Sequence, residues 1–84
     1  MAVRHLSAVD AFIEFMTSLP SIHEVVAYQI PPTDQARVSF LLNANSERRL
    51  NDEELVELDE YERLERMIRR AKIHAFQRLD AEKA

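Results

Sequence analysis

The sequence predicts an all-α fold, in which short N-terminal helices precede a helical hairpin with a long C-terminal amphipathic helix. Three observations lead to this prediction. Apolar residues recur at helical spacing in several segments of the 84-residue chain. The chain contains no glycine, so the tight turns of β-hairpins would lack their preferred residue. The stretch from 52 to 80 contains neither glycine nor proline, which leaves a long helix uninterrupted. A chain of this length forms at most one domain.

Two short helices are predicted in the first third of the chain. Ser7 is a suitable N-cap for a helix over 8–19, which Pro20 ends. A capping-box pattern, a serine followed three residues later by a glutamate, begins at Ser21. This pattern predicts a short helix or turn over 21–27.

A proline-containing linker and a third helix are predicted next. The segment 28–33 is expected to be extended, because a residue that precedes proline avoids the α conformation. Thr33 is expected to cap a helix over 34–44. Asn43 and Asn45 then mark its end, since asparagine tolerates the left-handed conformation that often follows a helix.

The clearest local signal opens the long helix, which is predicted over 52–80. Asn51 is an N-cap with Glu54 at the capping-box position, and Leu50 and Leu55 have the spacing of a hydrophobic staple. The helix would be about 42 Å long at 1.5 Å per residue, whereas a compact body of this chain length has a radius of gyration of only about 12 Å. We therefore expect part of the helix to project, or to pack against a second chain.

An apolar stripe about 80° wide follows the later turns of this helix, as narrow as the seam of a coiled coil. Its members are Tyr61, Leu64, Ile68, Ala71, Ala75 and Leu79. Two interpretations stay open: the stripe belongs to the chain's own core, or it binds a second copy or a partner protein. The first turns of the helix are expected to pack on the 34–44 helix as an antiparallel hairpin. A membrane-surface role is disfavoured, because the carboxylate-rich polar face would be repelled by anionic lipid.

Four arginines lie on the opposite face of the long helix: Arg63, Arg66, Arg69 and Arg70. They have the chemistry to contact phosphate or an acidic partner. However, carboxylates stand one turn before three of them, at 59, 62 and 65, in the order that favours ion pairs within a helix. The net charge of −4 also disfavours nonspecific nucleic-acid binding. A nucleic-acid-binding regulator is therefore the alternative function, and a solvated, salt-bridged face is the favoured interpretation.

No catalytic, metal or cofactor site is predicted. The chain has no cysteine, and its lack of glycine excludes the phosphate-binding loops that need this residue. His5, His23 and His74 lie in separate segments without the spacing of a helical metal pair. We expect a protein that is not an enzyme and uses no cofactor or small-molecule substrate. The absence of long apolar runs and of a signal-peptide pattern predicts a cytoplasmic protein.

From about position 21 onward the chain resembles a family of small, largely uncharacterised bacterial proteins that are frequent in cyanobacteria. The motifs that carry the resemblance read Ser21-Ile22-His23-Glu24, Gln35-Ala36-Arg37, Leu41-Leu42-Asn43-Ala44-Asn45, Leu50, Glu54, Glu57-Leu58-Asp59-Glu60-Tyr61, Leu64-Glu65 and Lys72-Ile73-His74-Ala75. The chain departs from the family pattern at Arg48 and Arg49, where relatives usually have glycine.

The resemblance implies a function in protein binding. Such proteins are similar to the antitoxin-like partners of small toxin proteins, which bind protein without catalysis. Together with the apolar stripe, this leads us to expect a helical interaction module that binds a cognate protein, such as a toxin, or forms a homo-oligomer.

Overall fold

Four α-helices make up the part of the chain that the computed structural model describes, residues 7–83. They are α1 (Ala8–Thr17), α2 (Ile22–Ala27), α3 (Pro32–Glu47) and α4 (Asp52–Lys83). No strand occurs in this range. The predicted all-α class is thus confirmed, with a bent helical hairpin of α3 and α4 and a long C-terminal helix.

The predicted caps of the first two helices are present. The Ser7 hydroxyl accepts a hydrogen bond of 3.1 Å from the backbone N–H of Asp10, and Ser21 and Glu24 form a reciprocal capping box. Helix α1 ends earlier than predicted, because Leu19 precedes a proline and leaves the α region. Leu19 adopts a left-handed φ of 57° and is 88 % exposed, an unfavourable conformation for a branched side chain.

Helix α3 is longer at both ends than predicted. It begins at Pro32, because the fixed φ of proline suits the first helical position, so the extended linker covers only 28–31. The prediction that Thr33 is the N-cap is wrong, since this residue lies inside the first turn. The prediction for Asn43 and Asn45 is also wrong: the helix continues to Glu47, and the following residue is extended with a φ of −151°.

Helix α4 has 32 residues and is the long axis of the molecule. Its predicted capping box is confirmed, because the Asn51 side chain accepts from the Glu54 N–H at 2.8 Å and the Glu54 carboxylate accepts from the Asn51 N–H at 3.0 Å. Leu50 is buried, whereas its expected staple partner Leu55 stays 47 % exposed.

Two apolar clusters join the other helices to α4. The first consists of Ala8, Phe12, Ile30, Leu64 and Ile68, and thus fixes α1 and the linker on the middle of α4. The second cluster, next to the turn between α3 and α4, consists of Leu41, Ala44, Leu50 and Leu58. Tyr61 packs against both clusters. Helix α2 also packs against α4. Ala75, in the C-terminal half of α4, is buried as well.

The molecule is flat. Its extents are 50 × 37 × 17 Å and its radius of gyration is 15.6 Å, compared with about 12 Å for a compact domain of this length. Because the axes of packed helices lie about 8–10 Å apart, this thickness corresponds to two helix layers, one of which is α4. The three shorter helices therefore cover only part of the surface of α4, and apolar side chains stay exposed.

Candidate functional site

Polar side chains join α3 to α4 at two successive levels. The Tyr61 hydroxyl donates a hydrogen bond of 2.7 Å to the Asp34 carboxylate. One helical turn further along α3, the Arg37 guanidinium donates to both oxygens of Glu57, at 2.6 and 2.8 Å. A bidentate pair of this kind fixes orientation as well as distance. From the first contact to the second, the residue numbers rise along α3 and fall along α4, as the predicted antiparallel hairpin requires.

Arg48 fastens the turn between the two helices to the start of α4. Its guanidinium donates hydrogen bonds of 3.0 and 2.9 Å to the two carboxylate oxygens of Glu54, which is only 9 % exposed. The hydrogen bonds from Arg48, followed by the one from the Asn51 backbone, lower the pKa of Glu54 to about 2. Arg48 is thus the third partner of the capping box.

The ionisable groups between α3 and α4 are held in the protonation states that their hydrogen bonds require. Burial, and then the hydrogen bond to Asp34, raises the pKa of Tyr61 to about 12, so its hydroxyl stays a donor at neutral pH. The hydrogen bonds from Arg37 lower the pKa of Glu57, which stays ionised. Proton transfer at neutral pH favours a group whose pKa lies near 7. The pKa values of Glu57 and Tyr61 are shifted away from about 7, and both side chains stabilise the packing of α3 on α4.

A cavity of ≈ 670 Å³ opens beside these contacts, between the start of α1, the first turn of α3 and the middle of α4. Its polar lining includes Asp34, Arg37, Glu57 and Glu60. Three of these four groups already make the hydrogen bonds described above. The cavity therefore offers a ligand one further exposed carboxylate, that of Glu60, above an apolar floor that includes Leu64.

The predicted apolar stripe of α4 faces the chain's own core along most of its length. Leu64 and Ile68 are 3 % and 5 % exposed within the first cluster, and two more members pack against that cluster, Tyr61 and Ala71. Further along, Ala75 is buried and Leu79 is half-buried. Of the two interpretations, the structure shows the intramolecular core for the central members. A partner would reach Leu64 and Ile68 only if α1 moved away.

The four arginines singled out from the sequence, Arg63, Arg66, Arg69 and Arg70, are all exposed. Arg63 forms the predicted ion pair with Asp59, at 2.9 Å. The other two predicted pairs, which involve Arg66 and Arg69, are not formed within the described residues, consistent with the small free energy that exposed ion pairs contribute. The structure therefore leaves the guanidinium groups of Arg66, Arg69 and Arg70 available to solvent or to an acidic partner.

Two of the three histidines lie in the part of the chain that the structure describes. His23 lies on α2 and His74 on α4, and both are exposed, while His5 lies outside the described residues. Within residues 7–83, no group of three or more His, Asp or Glu side chains is arranged to hold a metal ion. No helix in the same range is long and apolar enough to cross a membrane.

The outer face of α1 is an apolar surface that the sequence analysis did not single out. The inner face of this helix buries Ala8 and Phe12, but Ile13 and Met16 stay 51 % and 37 % exposed. Val9, which also lines the edge of the cavity, is 40 % exposed. The spacing of four and three residues places these three exposed residues on one side of the helix. The signal was present in the sequence as an apolar arc of about 200° at 100° per residue, wider than one core contact needs.

A second exposed apolar surface follows α4 and the adjoining side of α3. On α4, Leu55, Ile73 and Phe76 are about half exposed, and Leu42 of α3 is 52 % exposed. Next to them lies an open groove of ≈ 340 Å³ between the two helices. Its lining consists of Val38, Leu42, Leu58, Tyr61, Glu62, Glu65, Arg66 and Arg69.

Comparisons with known proteins do not assign this chain to a class. No protein-family model, no curated protein sequence and no solved structure matches it. The resemblance to the small bacterial proteins described above therefore stays a prediction. The functional argument has to rest on the surfaces that the fold leaves exposed.

Proposed function

We propose that this protein is a non-catalytic helical interaction module of the cytoplasm, which binds another protein chain through the exposed apolar surfaces around α4. The observation that carries this proposal is the thin body, 17 Å across, with half-exposed apolar side chains on α1, α3 and α4. Contiguous exposed apolar surface on a small protein marks an interaction site more often than a solvated face. A cysteine-free chain fits a reducing compartment.

The limited core of a single copy supports the same conclusion. A domain of this size buries only about 60–65 % of the surface of its unfolded chain, and it often needs help from disulfides, metals or association. Disulfides are excluded by composition. Association would cover side chains such as Ile13 and Phe76, which the fold leaves about half exposed.

The polar contacts support a structural role for the polar groups rather than a chemical one. Arg37 of α3 binds Glu57 of α4, and Tyr61 of α4 donates a hydrogen bond to an aspartate of α3. These hydrogen bonds stabilise the hairpin on which the exposed surfaces lie. A rigid presentation lowers the entropy cost of binding. The antitoxin-like resemblance suggests a cognate toxin protein as one partner, and a second copy of the chain is the other.

The test is a measurement of molar mass by light scattering at micromolar concentration, together with co-expression of the product of the neighbouring gene. We expect either a homo-oligomer or a stable complex with that product. Phe76→Asp should weaken the association, because it places a charge on the exposed apolar surface of α4 without altering the core. His74→Asp, at an exposed position on another side of the same helix, is the matched control. A monodisperse monomer that forms no complex would contradict the proposal.

A second candidate function is nucleic-acid binding through Arg63, Arg66, Arg69 and Arg70. The observation that favours it is the lack of recorded ion pairs for the last three among the described residues. Binding of this kind weakens steeply as the salt concentration rises, because it releases condensed counterions. Arg66→Ala should then lower the affinity for duplex DNA or RNA at low salt. If no complex forms at low ionic strength, this candidate is removed.

A further inference from the structure

A second stripe of α4, distinct from the apolar stripe that faces the core, contains apolar and charged residues in a symmetric order. It consists of Leu55, Glu62, Arg69, Ile73 and Phe76, all exposed to solvent. At 100° per residue these side chains lie within about 60° of one another, well away from the face that packs on α1. Apolar residues stand at both ends of the stripe, with a carboxylate and a guanidinium between them.

The charges of α4 are divided between its two halves. Residues 52–62 include seven carboxylates and no basic side chain, whereas residues 63–83 include seven basic and three acidic side chains. The two halves thus have formal charges of −7 and +4. Two such helices repel each other when they lie side by side in parallel. In the antiparallel orientation, the acidic half of each helix lies beside the basic half of the other.

The residues of the stripe match in this antiparallel orientation. Leu55 and Phe76 are equally far from a midpoint between Glu65 and Arg66, and so are Glu62 and Arg69. A two-fold axis at that midpoint places Leu55 level with Phe76 of the second copy, and Glu62 level with Arg69 of the second copy. A two-fold interface repeats each contact twice.

The groove between α3 and α4 extends this surface beyond a single helix pair. It lies beside the stripe, and Glu62 and Arg69 line it together with Leu42 and Leu58. Ile73 of the second copy would be level with Leu58, beside the half-exposed Leu42. The groove volume of ≈ 340 Å³ leaves room for a side chain of that size. Both α3 and α4 would therefore contribute to the surface area buried in the dimer. A specific interface usually buries about 800 Å² on each partner.

We propose that the partner at this surface is a second copy of the same chain, with the two α4 helices antiparallel about a two-fold axis near Glu65 and Arg66. This inference rests on the proposed function and specifies its partner and orientation. Charge complementarity along α4 selects the antiparallel arrangement, and Leu55, Ile73 and Phe76 supply the apolar contacts.

Charge reversal tests the contact between Glu62 and Arg69. Glu62→Arg should weaken dimerisation about tenfold, because two ion pairs are replaced by two repulsive contacts. The double variant Glu62→Arg/Arg69→Glu should return the dimerisation constant to within about threefold of the original. Glu14→Arg makes the same charge change at an exposed position of α1 and is the matched control. Equal effects of Glu62→Arg and Glu14→Arg would overturn the pairing.

Spin-label distances test the orientation. The chain has no cysteine, so one introduced cysteine is a unique labelling site. In the antiparallel pair, labels at Gln77→Cys should lie about 35 Å apart along the helices and labels at Arg70→Cys about 14 Å apart, at 1.5 Å per residue. A parallel pair would give the same separation at both sites, about 10 Å. Equal short distances would therefore overturn the inference.

The oligomeric state separates the failure of this inference from the failure of the proposed function. A chain that stays monomeric but binds the product of the neighbouring gene overturns the antiparallel pair and leaves the interaction module in place. A chain that does neither overturns both. A dimer with the expected distances and charge dependence supports both.

Discussion

At the scale of single residues, hydrogen bonds between polar side chains determine how α3, the turn and α4 are joined. Arg48 is bound to Glu54, Arg37 to Glu57, and Tyr61 donates to an aspartate of α3. Sequence spacing identified Glu54 as a capping residue. It did not identify the arginines, because their partners lie six and twenty residues away and only the hairpin brings them within reach.

The Glu54 contact predicts a specific loss of stability in acid. Its pKa is about 2 in the folded chain and about 4.3 in an unfolded one. A lowered pKa stabilises the fold above the unfolded value, and this stabilisation is lost as the pH falls from about 4.3 towards about 2. Denaturant unfolding at about pH 6 and about pH 3 should show that Glu54→Gln reduces the difference between the two conditions.

Glu53→Gln is the matched control for this prediction, because Glu53 is exposed in the same helical turn and lies outside the ion pair. If both variants change the pH dependence equally, the contact with Arg48 is not its source.

The hydroxyl of Tyr61 makes a separate contribution to the hairpin. Tyr61→Phe should lower the free energy of unfolding by about 1 kcal/mol, since it removes one hydrogen bond and leaves the ring in place. Combining it with Asp34→Ala in a double-mutant cycle should show a coupling of similar size, because the two groups contact each other at 2.7 Å. Additive effects in the cycle would show that this hydrogen bond does not stabilise the fold.

At the scale of helices, the contribution of each α4 side chain to stability depends on which face of the helix other segments cover. The stripe that was open to two interpretations contains Leu64 and Ile68, and both are buried against α1 and Ile30 of the linker. The same helix has exposed apolar residues on other sides, such as Met67. Burial, rather than apolar character alone, decides how much each side chain contributes to stability.

A pair of truncations on α4 tests this distinction. Leu64→Ala should lower the free energy of unfolding by about 2–5 kcal/mol, because it opens a cavity at a side chain that is 3 % exposed. Met67→Ala, three residues later and 56 % exposed, should change it by no more than about 0.5 kcal/mol. Comparable effects in thermal or denaturant unfolding would contradict the packing of α1 on α4.

The end of α1 predicts a stabilising substitution. Leu19 has a φ of 57° and is 88 % exposed, so its side chain gains little from packing while its backbone is in a conformation that glycine prefers. Leu19→Gly should raise the free energy of unfolding by up to about 1 kcal/mol. Leu19→Ala retains the unfavourable φ and should give a smaller gain. A lower melting temperature for Leu19→Gly would contradict this account.

At the scale of the whole molecule, the flat shape links stability to association. A body 17 Å thick exposes both of its broad faces. The proposed antiparallel pair would cover a surface of α3 and α4, and the outer face of α1 would stay available for a further partner.

Association of this kind makes thermal stability depend on concentration. A binding partner stabilises the folded chain by mass action, by about 2.7 kcal/mol at a hundred times its dissociation constant. The melting temperature of the wild-type chain should therefore rise with protein concentration. The rise should be smaller in Glu62→Arg than in Glu14→Arg. A melting temperature that is constant over about a hundredfold range would contradict self-association.

Local chemistry in the sequence determined the class of the fold, the capping boxes and the long helix, because helix caps and apolar spacing act within a few residues. The first two and the last three residues of α3 were not predicted. Pro32 can begin a helix, and the packing of Leu41 and Ala44 sustains one past the asparagines. Only the tertiary structure decided which face of α4 is covered. Apolar periodicity defines a stripe on a helix but does not say which segment packs on it. Contacts between segments distant in sequence bury Leu64 under α1 and leave Phe76 in solvent.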